Sequence, residues 1–385
     1  MPERRLGRQL PLPAVGALIY AGIRLISVLL AAFMLKHGKY QDRGWSLLRW
    51  MRSSDGGHYR AIAAHGYAYP PGQLAHASVF SWFPGYPVAI DALAWLPWVT
   101  IVAAGLIVTA VAGLAAAAGL TTLGLKLTGD PRVSLLLAAV WAVAPSSVVL
   151  TMVYAEALFC ALAVWAMVAL VSRRWLIAGL LTLAAGTVRS TAIALIAAVG
   201  LAAAIAVVSA IRAREPFAAW WRPVAGALLA PLGLLAFLGY VASATHRLDG
   251  WFWVERHTCH MVFDWGASTL RVIKGTVLGQ PSVAQVLVAG ALIAAVLLLF
   301  WLFTERIGVY LHLYTLVVVV MTLTTSANWI SSKPRFLLPA MLLALPVARL
   351  LAPLRNRVLV PLIVVLAAAT TWFGLYLAII AKWTP

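Results

Sequence analysis

Between Pro13 and Leu35 the chain carries a single charged side chain, Arg24, and apolar runs of the same kind recur almost to the C-terminus. They lie at roughly 101–125, 132–150, 153–171, 174–188, 190–211, 223–243, 283–303, 308–326, 336–351 and 358–380. About 20 apolar residues in a helix cross a hydrocarbon layer of about 30 Å. Lipid offers no partner for a backbone N–H or C=O, so each crossing must satisfy its own hydrogen bonds as a helix. The runs therefore predict an all-α, polytopic integral membrane protein with about eleven transmembrane helices, folded as one domain over 1–385. Composition agrees: 63% of residues are hydrophobic and 10% charged, where about a quarter of an ordinary soluble domain is charged.

The net charge of +18 could mean nucleic acid. The bases, however, come as pairs between apolar runs and not as one basic face, which excludes that partner and favours anionic lipid surfaces or phosphate-bearing ligands. Arg4, Arg5 and Arg8 precede the first run with no small-residue cleavage site behind it, as in an uncleaved first transmembrane helix with a cytoplasmic N-terminus. Short cytoplasmic loops are rich in Lys and Arg. The rule puts Lys126 with Arg132, Arg173 with Arg174, Arg212 with Arg214 and Arg222, Arg306, and Arg349 with Arg355 and Arg357 inside. Two long polar segments, 36–98 and 244–282, then lie outside. Within the first, Val88–Trp95 is short and carries Asp91, which predicts an interfacial helix in place of a span. The abundance of Ala and of Arg over Lys points to a high-GC bacterial genome, hence to the plasma membrane of a bacterium.

Polar chemistry is concentrated in Ser53-Ser54-Asp55-Gly56-Gly57-His58-Tyr59-Arg60-Ala61-Ile62-Ala63-Ala64-His65-Gly66-Tyr67. A short helix over Gly57–His65, stopped by Gly66, would put Asp55 at its mouth with His58 and Tyr59 nearby. Two readings of Asp55 follow: an N-cap accepting backbone N–H groups, or a functional carboxylate. The same threading brings Glu156, Arg189, Lys333 and Arg335 to the external ends of helices, on the side of Asp55 and His58. Charges at membrane depth are costly unless they line a wet cavity or meet a partner. They read either as a surface site, with acids for proton chemistry and bases for an anionic group, or, for Glu156 and Arg189, as a pair that holds helices together. Arg24 reads as a helix-packing residue.

The second loop mixes Trp251, Phe252, Trp253 and Trp265 with Glu255, His257, His260 and Asp264, which suits a carbohydrate or headgroup surface or an interfacial aromatic belt. His257-Thr258-Cys259-His260 has no second cluster at zinc spacing and does not read as a metal site. Cys160 and Cys259 make no disulfide framework. No nucleotide or dinucleotide fingerprint is present, and neither a metal nor a cofactor is expected.

Several stretches resemble one family in order along the chain. Asp55-Gly56-Gly57-His58-Tyr59, with Ile62-Ala63, His65-Gly66-Tyr67 and Trp82-Phe83-Pro84-Gly85-Tyr86-Pro87, is similar to the first-loop signature of the PIG-V type (GPI mannosyltransferase II) and its bacterial relatives. Tyr154-Ala155-Glu156-Ala157-Leu158-Phe159 resembles that family's Tyr-Thr-Glu-Ser-Leu-Phe motif, and Thr187-Val188-Arg189-Ser190-Thr191 its Thr-Arg-Ser-Thr segment. Lys333-Pro334-Arg335-Phe336 resembles its late Pro-Arg-Phe/Tyr motif. Ser54 stands where the family has tryptophan, and Ala155 and Ala157 replace hydroxyl residues.

The resemblance implies a GT-C fold and an inverting glycosyltransferase. Its donor would be a polyprenyl-phosphate sugar, commonly mannose, and its acceptor a hydroxyl of a glycolipid or other extracytoplasmic glycan. Asp55 would then be the general base, with His58, Tyr59, Tyr154 and Glu156 around the sugars and Arg189, Lys333 and Arg335 on the donor phosphate. A transporter or a flippase for lipids or sugar-lipids is the alternative, with Arg24, Glu156 and Arg189 along the pathway. Against it stands the absence of an internal repeat and of paired broken helices.

Overall fold

The computed structural model describes residues 10–38, 44–67, 74–326 and 330–380; Arg4, Arg5 and Arg8 lie outside them. Among the described residues the regular elements are helices, joined by one isolated bridge between Phe263 and Thr325. Six helices among the described residues are long and apolar enough to cross a membrane: Leu12–His37, Ile101–Thr128, Ala192–Arg212, Phe217–Thr245, Val283–Leu302 and Asn356–Ile379. Five more are apolar but shorter: Pro131–Ala142, Glu156–Val171, Trp175–Gly186, Val309–Thr324 and Met341–Leu351.

Local chemistry sets many of the ends. Thr100 caps Ile101–Thr128 by accepting from Ala103 N–H at 3.2 Å, and Gly129, at φ +69°, stops it. Asp130 accepts from the N–H groups of Arg132 and Val133, with Pro131 at the first helical position. Ser282 and Gln285 form a reciprocal capping box at Val283.

Three run boundaries differ from the sequence expectation, each at a proline, which has no N–H to give and disfavours helix in the residue before it. The run 132–150 breaks after Ala142, ahead of Pro145, and continues as a 3-10 turn over Ser147–Thr151. The helix in Phe217–Thr245 is interrupted between Leu229 and Leu232, at Pro231. The run 336–351 becomes helical only from Met341, beyond Pro339. The first break explains Arg24. Its guanidinium is buried and donates to the carbonyls of Ala142 and Ser147, on either side of the break.

Lipid tails are as apolar as leucine, so close backbone approach, not hydrophobicity, holds membrane helices together. Ile101–Thr128 sits at the middle of the bundle through its small residues. A Cβ on Gly113 would meet the Tyr20 ring at 2.5 Å, one on Gly119 would meet Val164 at 2.5 Å, and one on Gly124 would meet the Ser134 Cα at 2.9 Å. The first helix is inverted relative to a soluble one: Tyr20, Ile23, Ser27 and Ala31 face the bundle, while Leu18, Leu25, Leu29 and Phe33 are exposed.

Ion pairs and hydrogen bonds tie the Lys126 end of the bundle. Arg132 donates to Leu354 C=O and Asn356, and Arg349 pairs with Glu305 at 2.7 Å. The other end carries the two polar segments. The first holds helices Leu47–Met51, Asp55–His65 and Gly85–Ala94 and the 3-10 helix Leu74–Ser81; the second holds Gly250–His257 and Ala267–Leu278.

Candidate active site

The helix expected from Gly57 begins two residues earlier, at Asp55, and ends at Gly66 with φ +67°. Its N-cap is Ser54, which adopts φ +53° and ψ −128° and makes no capping bond with its side chain. That is left-handed backbone which a non-glycine residue enters only at a cost. Asp55 is therefore the first helical residue and not the cap. Among the described residues no backbone N–H donates to its carboxylate. Oδ2 instead meets Arg335 Nη2 at 2.9 Å.

Two close backbone approaches aim this helix and its neighbours. A Cβ on Gly56 would lie 3.1 Å from the Val153 carbonyl, and Val153 N–H itself donates to Met51 C=O at 2.9 Å. The first polar segment is thereby fastened to the residues that introduce Tyr154 and Glu156. Gly85 does the same for Arg189: its N–H donates to Thr187 C=O at 2.7 Å, and a Cβ there would be 2.6 Å from the Thr187 hydroxyl. At Gly85 a side chain would force its neighbours apart, and at Gly56 it would crowd the Val153 carbonyl. Tyr86 completes the frame, bonding Thr109 at 2.7 Å and Gly105 C=O at 3.0 Å beneath the edge of the Tyr59 ring.

Within this frame four charges form one chain. Arg189 Nη1 binds Glu156 Oε1 at 2.5 Å, Arg335 Nε stands 3.7 Å from the same oxygen, and Arg335 reaches on to Asp55. Exposure falls inward, from 17% for the Asp55 side chain to 14% for Arg189, 7% for Arg335 and 0% for Glu156. The pair that sequence reading offered as a helix tie, Glu156 with Arg189, is present, but Arg335 links it to Asp55. Rings enclose the guanidinium of Arg335: its Cζ lies 5.1 Å from the centroids of both Tyr154 and Phe336, and Arg189 is 5.6 Å from Phe336.

The chain is not saturated. Arg335 Nε and Nη1, Arg189 Nε and Glu156 Oε2 are buried without hydrogen-bond partners among the described residues. Guanidinium N–H groups left open in this way, next to an accessible carboxylate, suit an anionic oxygen ligand.

The remaining predicted site residues fall in two groups. His58 stacks on Trp82 with centroids 3.8 Å apart, at the rim beside Asp55. Burial pulls its imidazole below the usual histidine range, against the opposing charge of Asp55. Tyr59 and Tyr154 are buried; Tyr154 presents its ring to Arg335, and Tyr59 packs at right angles to Tyr86. Lys333 turns elsewhere: it is buried, and its ammonium donates to Thr269 at 2.5 Å and to Leu323 C=O at 3.3 Å. Burial lowers it to about 8 despite Asp264 nearby. His257 bonds Trp253 C=O at 2.8 Å, and Cys259 sits 3.0 Å from the Ser81 hydroxyl.

Trp82 and Phe336 join the site although sequence reading gave them no role. Their signal was adjacency, one inside the proline-punctuated aromatic stretch and the other directly after Arg335.

No protein-family model matches the chain, and no curated protein does either, so the PIG-V-type resemblance is not established by them. Solved structures do match. The chain is similar to ArnT from Cupriavidus metallidurans bound to undecaprenyl phosphate, at 14% identity and TM-score 0.54, over 88% of this chain and 60% of that one. It is similar to the same protein in the apo state at 15% identity and TM-score 0.51, over 82% and 59% respectively. The chain thus spans about three fifths of the length of ArnT. At this identity the likeness concerns architecture: the fold is the ArnT fold, of the GT-C class.

Proposed function

We propose that the protein is an inverting membrane glycosyltransferase that moves a mannosyl residue from a polyprenyl-phosphate donor to a hydroxyl of a glycolipid or other extracytoplasmic glycan. In this reading the six long helices and the five shorter apolar ones all cross a bacterial plasma membrane, and the Asp55 end of the bundle faces outward. The helices of the first polar segment then lie in the interface.

One observation carries the reading. An accessible carboxylate, Asp55, stands in direct contact with a buried guanidinium whose Nε and Nη1 have no hydrogen-bond partner among the described residues. The phosphate of a lipid-linked sugar supplies the anionic oxygens those groups lack, and Arg189, held by Glu156, lends a second cation. ArnT binds undecaprenyl phosphate within a similar fold, which supports a polyprenyl-phosphate ligand here.

In the reaction the acceptor oxygen forms a bond to the anomeric carbon as the bond from that carbon to the phosphate oxygen breaks on the opposite face. Asp55 takes the acceptor proton, and the polyprenyl phosphate leaves with the bonding electrons, stabilised by Arg335 and Arg189. A phosphate needs no proton to leave, so one carboxylate suffices. Glu156 acts by holding both arginines.

The test is a purified, nanodisc-embedded protein with radiolabelled polyprenyl-phosphate mannose and extracted membrane glycolipids. Asp55→Asn is expected to bind undecaprenyl phosphate as the wild type does while transfer falls by about two orders of magnitude or more. Full transfer by that variant would refute the assignment. Donor moved between leaflets with its sugar intact would favour a flippase.

A further inference from the structure

The second polar segment contributes a carboxyl group that the reaction above does not use. Helix Gly250–His257 lies against the 3-10 helix Leu74–Ser81, which leads directly into Trp82 and its stack on His58. Trp251 and Glu255, one turn apart, share a helix face. Trp251 packs on Phe83, with centroids 6.0 Å apart, and Ser81 meets Cys259 at 3.0 Å, so the two segments close over each other at this point. Ser81 directly precedes Trp82, whose ring stacks on His58, so the end of the Glu255 helix closes on the rim of the same site.

The partners of Glu255 are unusual. Among the described residues it takes part in no ion pair. The cations on its helix and just before it are used otherwise or face outward: Arg247 binds Asp249 at 3.0 Å, His257 binds a carbonyl, and Arg256 is exposed. Burial pushes the carboxyl up to about 7, with the Ser81 hydroxyl holding it down in part. One turn away on the same helix, the indole N–H of Trp251 is buried with no acceptor among the described residues. A carboxyl oxygen with no cation, a free N–H donor and a hydroxyl together complement a neutral group that both donates and accepts. A sugar hydroxyl is such a group; a phosphate or a metal ion is not.

We propose that Glu255, with Trp251 and Ser81, forms an acceptor-side subsite that holds a hydroxyl group of a neutral sugar beside Asp55. The proposal rests on the glycosyltransferase reading above. It divides the site in two: guanidinium groups for the lipid phosphate, and a carboxyl on an aromatic-backed rim for the acceptor.

Cys259 gives a readout that needs no turnover, because the other cysteine, Cys160, is buried. The experiment measures maleimide labelling of Cys259 in nanodiscs at rising octyl α-mannoside, with the octyl ether of hexaethylene glycol as the sugar-free control. Saturable protection by the mannoside alone is expected. The concentration for half-protection should rise about tenfold or more in Glu255→Leu, the factor for one lost hydrogen bond to a charged group, and less in Glu255→Gln. Undecaprenyl phosphate binding should be unchanged in both variants, which also reports that they fold. No protection of the wild type, equal protection by the sugar-free control, or the same half-protection in both variants would overturn the proposal. A wild type that is protected but does not bind undecaprenyl phosphate would fault the donor reading and leave the sugar subsite standing.

Discussion

Replacing Arg335 with methionine while keeping Asp55 and Glu156 leaves two carboxylates without the group that joins them. At an effective dielectric of about 20, the contact of 2.9 Å with Asp55 is worth about 6 kcal/mol of attraction and that of 3.7 Å with Glu156 about 4 to 5. Desolvation of the ions offsets much of this, so the net value of the bridge is far smaller. Breaking it by removing one partner is costly all the same, about 3–5 kcal/mol, because buried charge is left behind. Asp55 retains 17% exposure and recovers some hydration, which puts Arg335→Met near the lower end, about 3 kcal/mol. Asp55→Asn removes the other charge and leaves Arg335 with Glu156. In Arg335→Met combined with Asp55→Asn the carboxylate that lost its partner is gone, so the double variant should lose less than the sum of the singles by about 2 kcal/mol. Equilibrium unfolding of the full chain in mixed SDS micelles, run as a double-mutant cycle, measures that coupling. Additivity within about 0.5 kcal/mol would show that the Asp55–Arg335 contact carries no energy, and the donor-site argument built on it would fall.

Gly85→Ala puts a Cβ 2.6 Å from the Thr187 hydroxyl and 2.9 Å from its carbonyl oxygen. It should cost about 1–3 kcal/mol in the same unfolding assay and lower transfer, because Arg189 follows two residues later. Ser54→Gly relieves a residue at φ +53° and should raise stability by about 1 kcal/mol; an unchanged or lowered midpoint would mean that Ser54 is not strained. Glu255 gives a pH test. Its carboxyl is pushed up from 4.5 to about 7 in the folded chain, so between those values the folded state binds the proton more tightly than the unfolded one. Stability from this group is therefore full below about 4.5 and declines as pH rises through about 7, by at most about 3 kcal/mol. Glu255→Gln should remove that decline, which unfolding midpoints at acid and mildly alkaline pH would read as a flatter profile.

Much of the bundle was legible because lipid permits so few solutions: an apolar run long enough to cross must be a helix. The misplaced ends at Pro145, Pro231 and Pro339 were legible too, since hydropathy averages over a proline while the backbone does not. The function of single buried charges was not. Arg24 and Arg189 are each a lone arginine between long apolar runs. One ends on two carbonyls at a helix break and the other on a carboxylate. That difference depends on pairings between residues far apart in the chain, which no periodicity records.

Lys333 and Arg335 are the opposite case, where a local rule was available and decides the matter. Read as one motif, they invite a single phosphate site. Both lie in the one-turn helix Lys333–Phe336, and residues two apart on a helix differ in direction by about 200°. Were the segment extended, the two side chains would share a face. Being helical, it sends Arg335 inward to Asp55 and Glu156 and Lys333 the other way, to Thr269 and the end of Val309–Thr324. A phosphate bound through the open N–H groups of Arg335 accordingly meets Arg189, across the ring of Phe336, before it meets Lys333. Arg189→Met should then weaken undecaprenyl phosphate binding more than Lys333→Met, and the reverse order, read in one binding titration, would mean that the helix turns over when lipid enters.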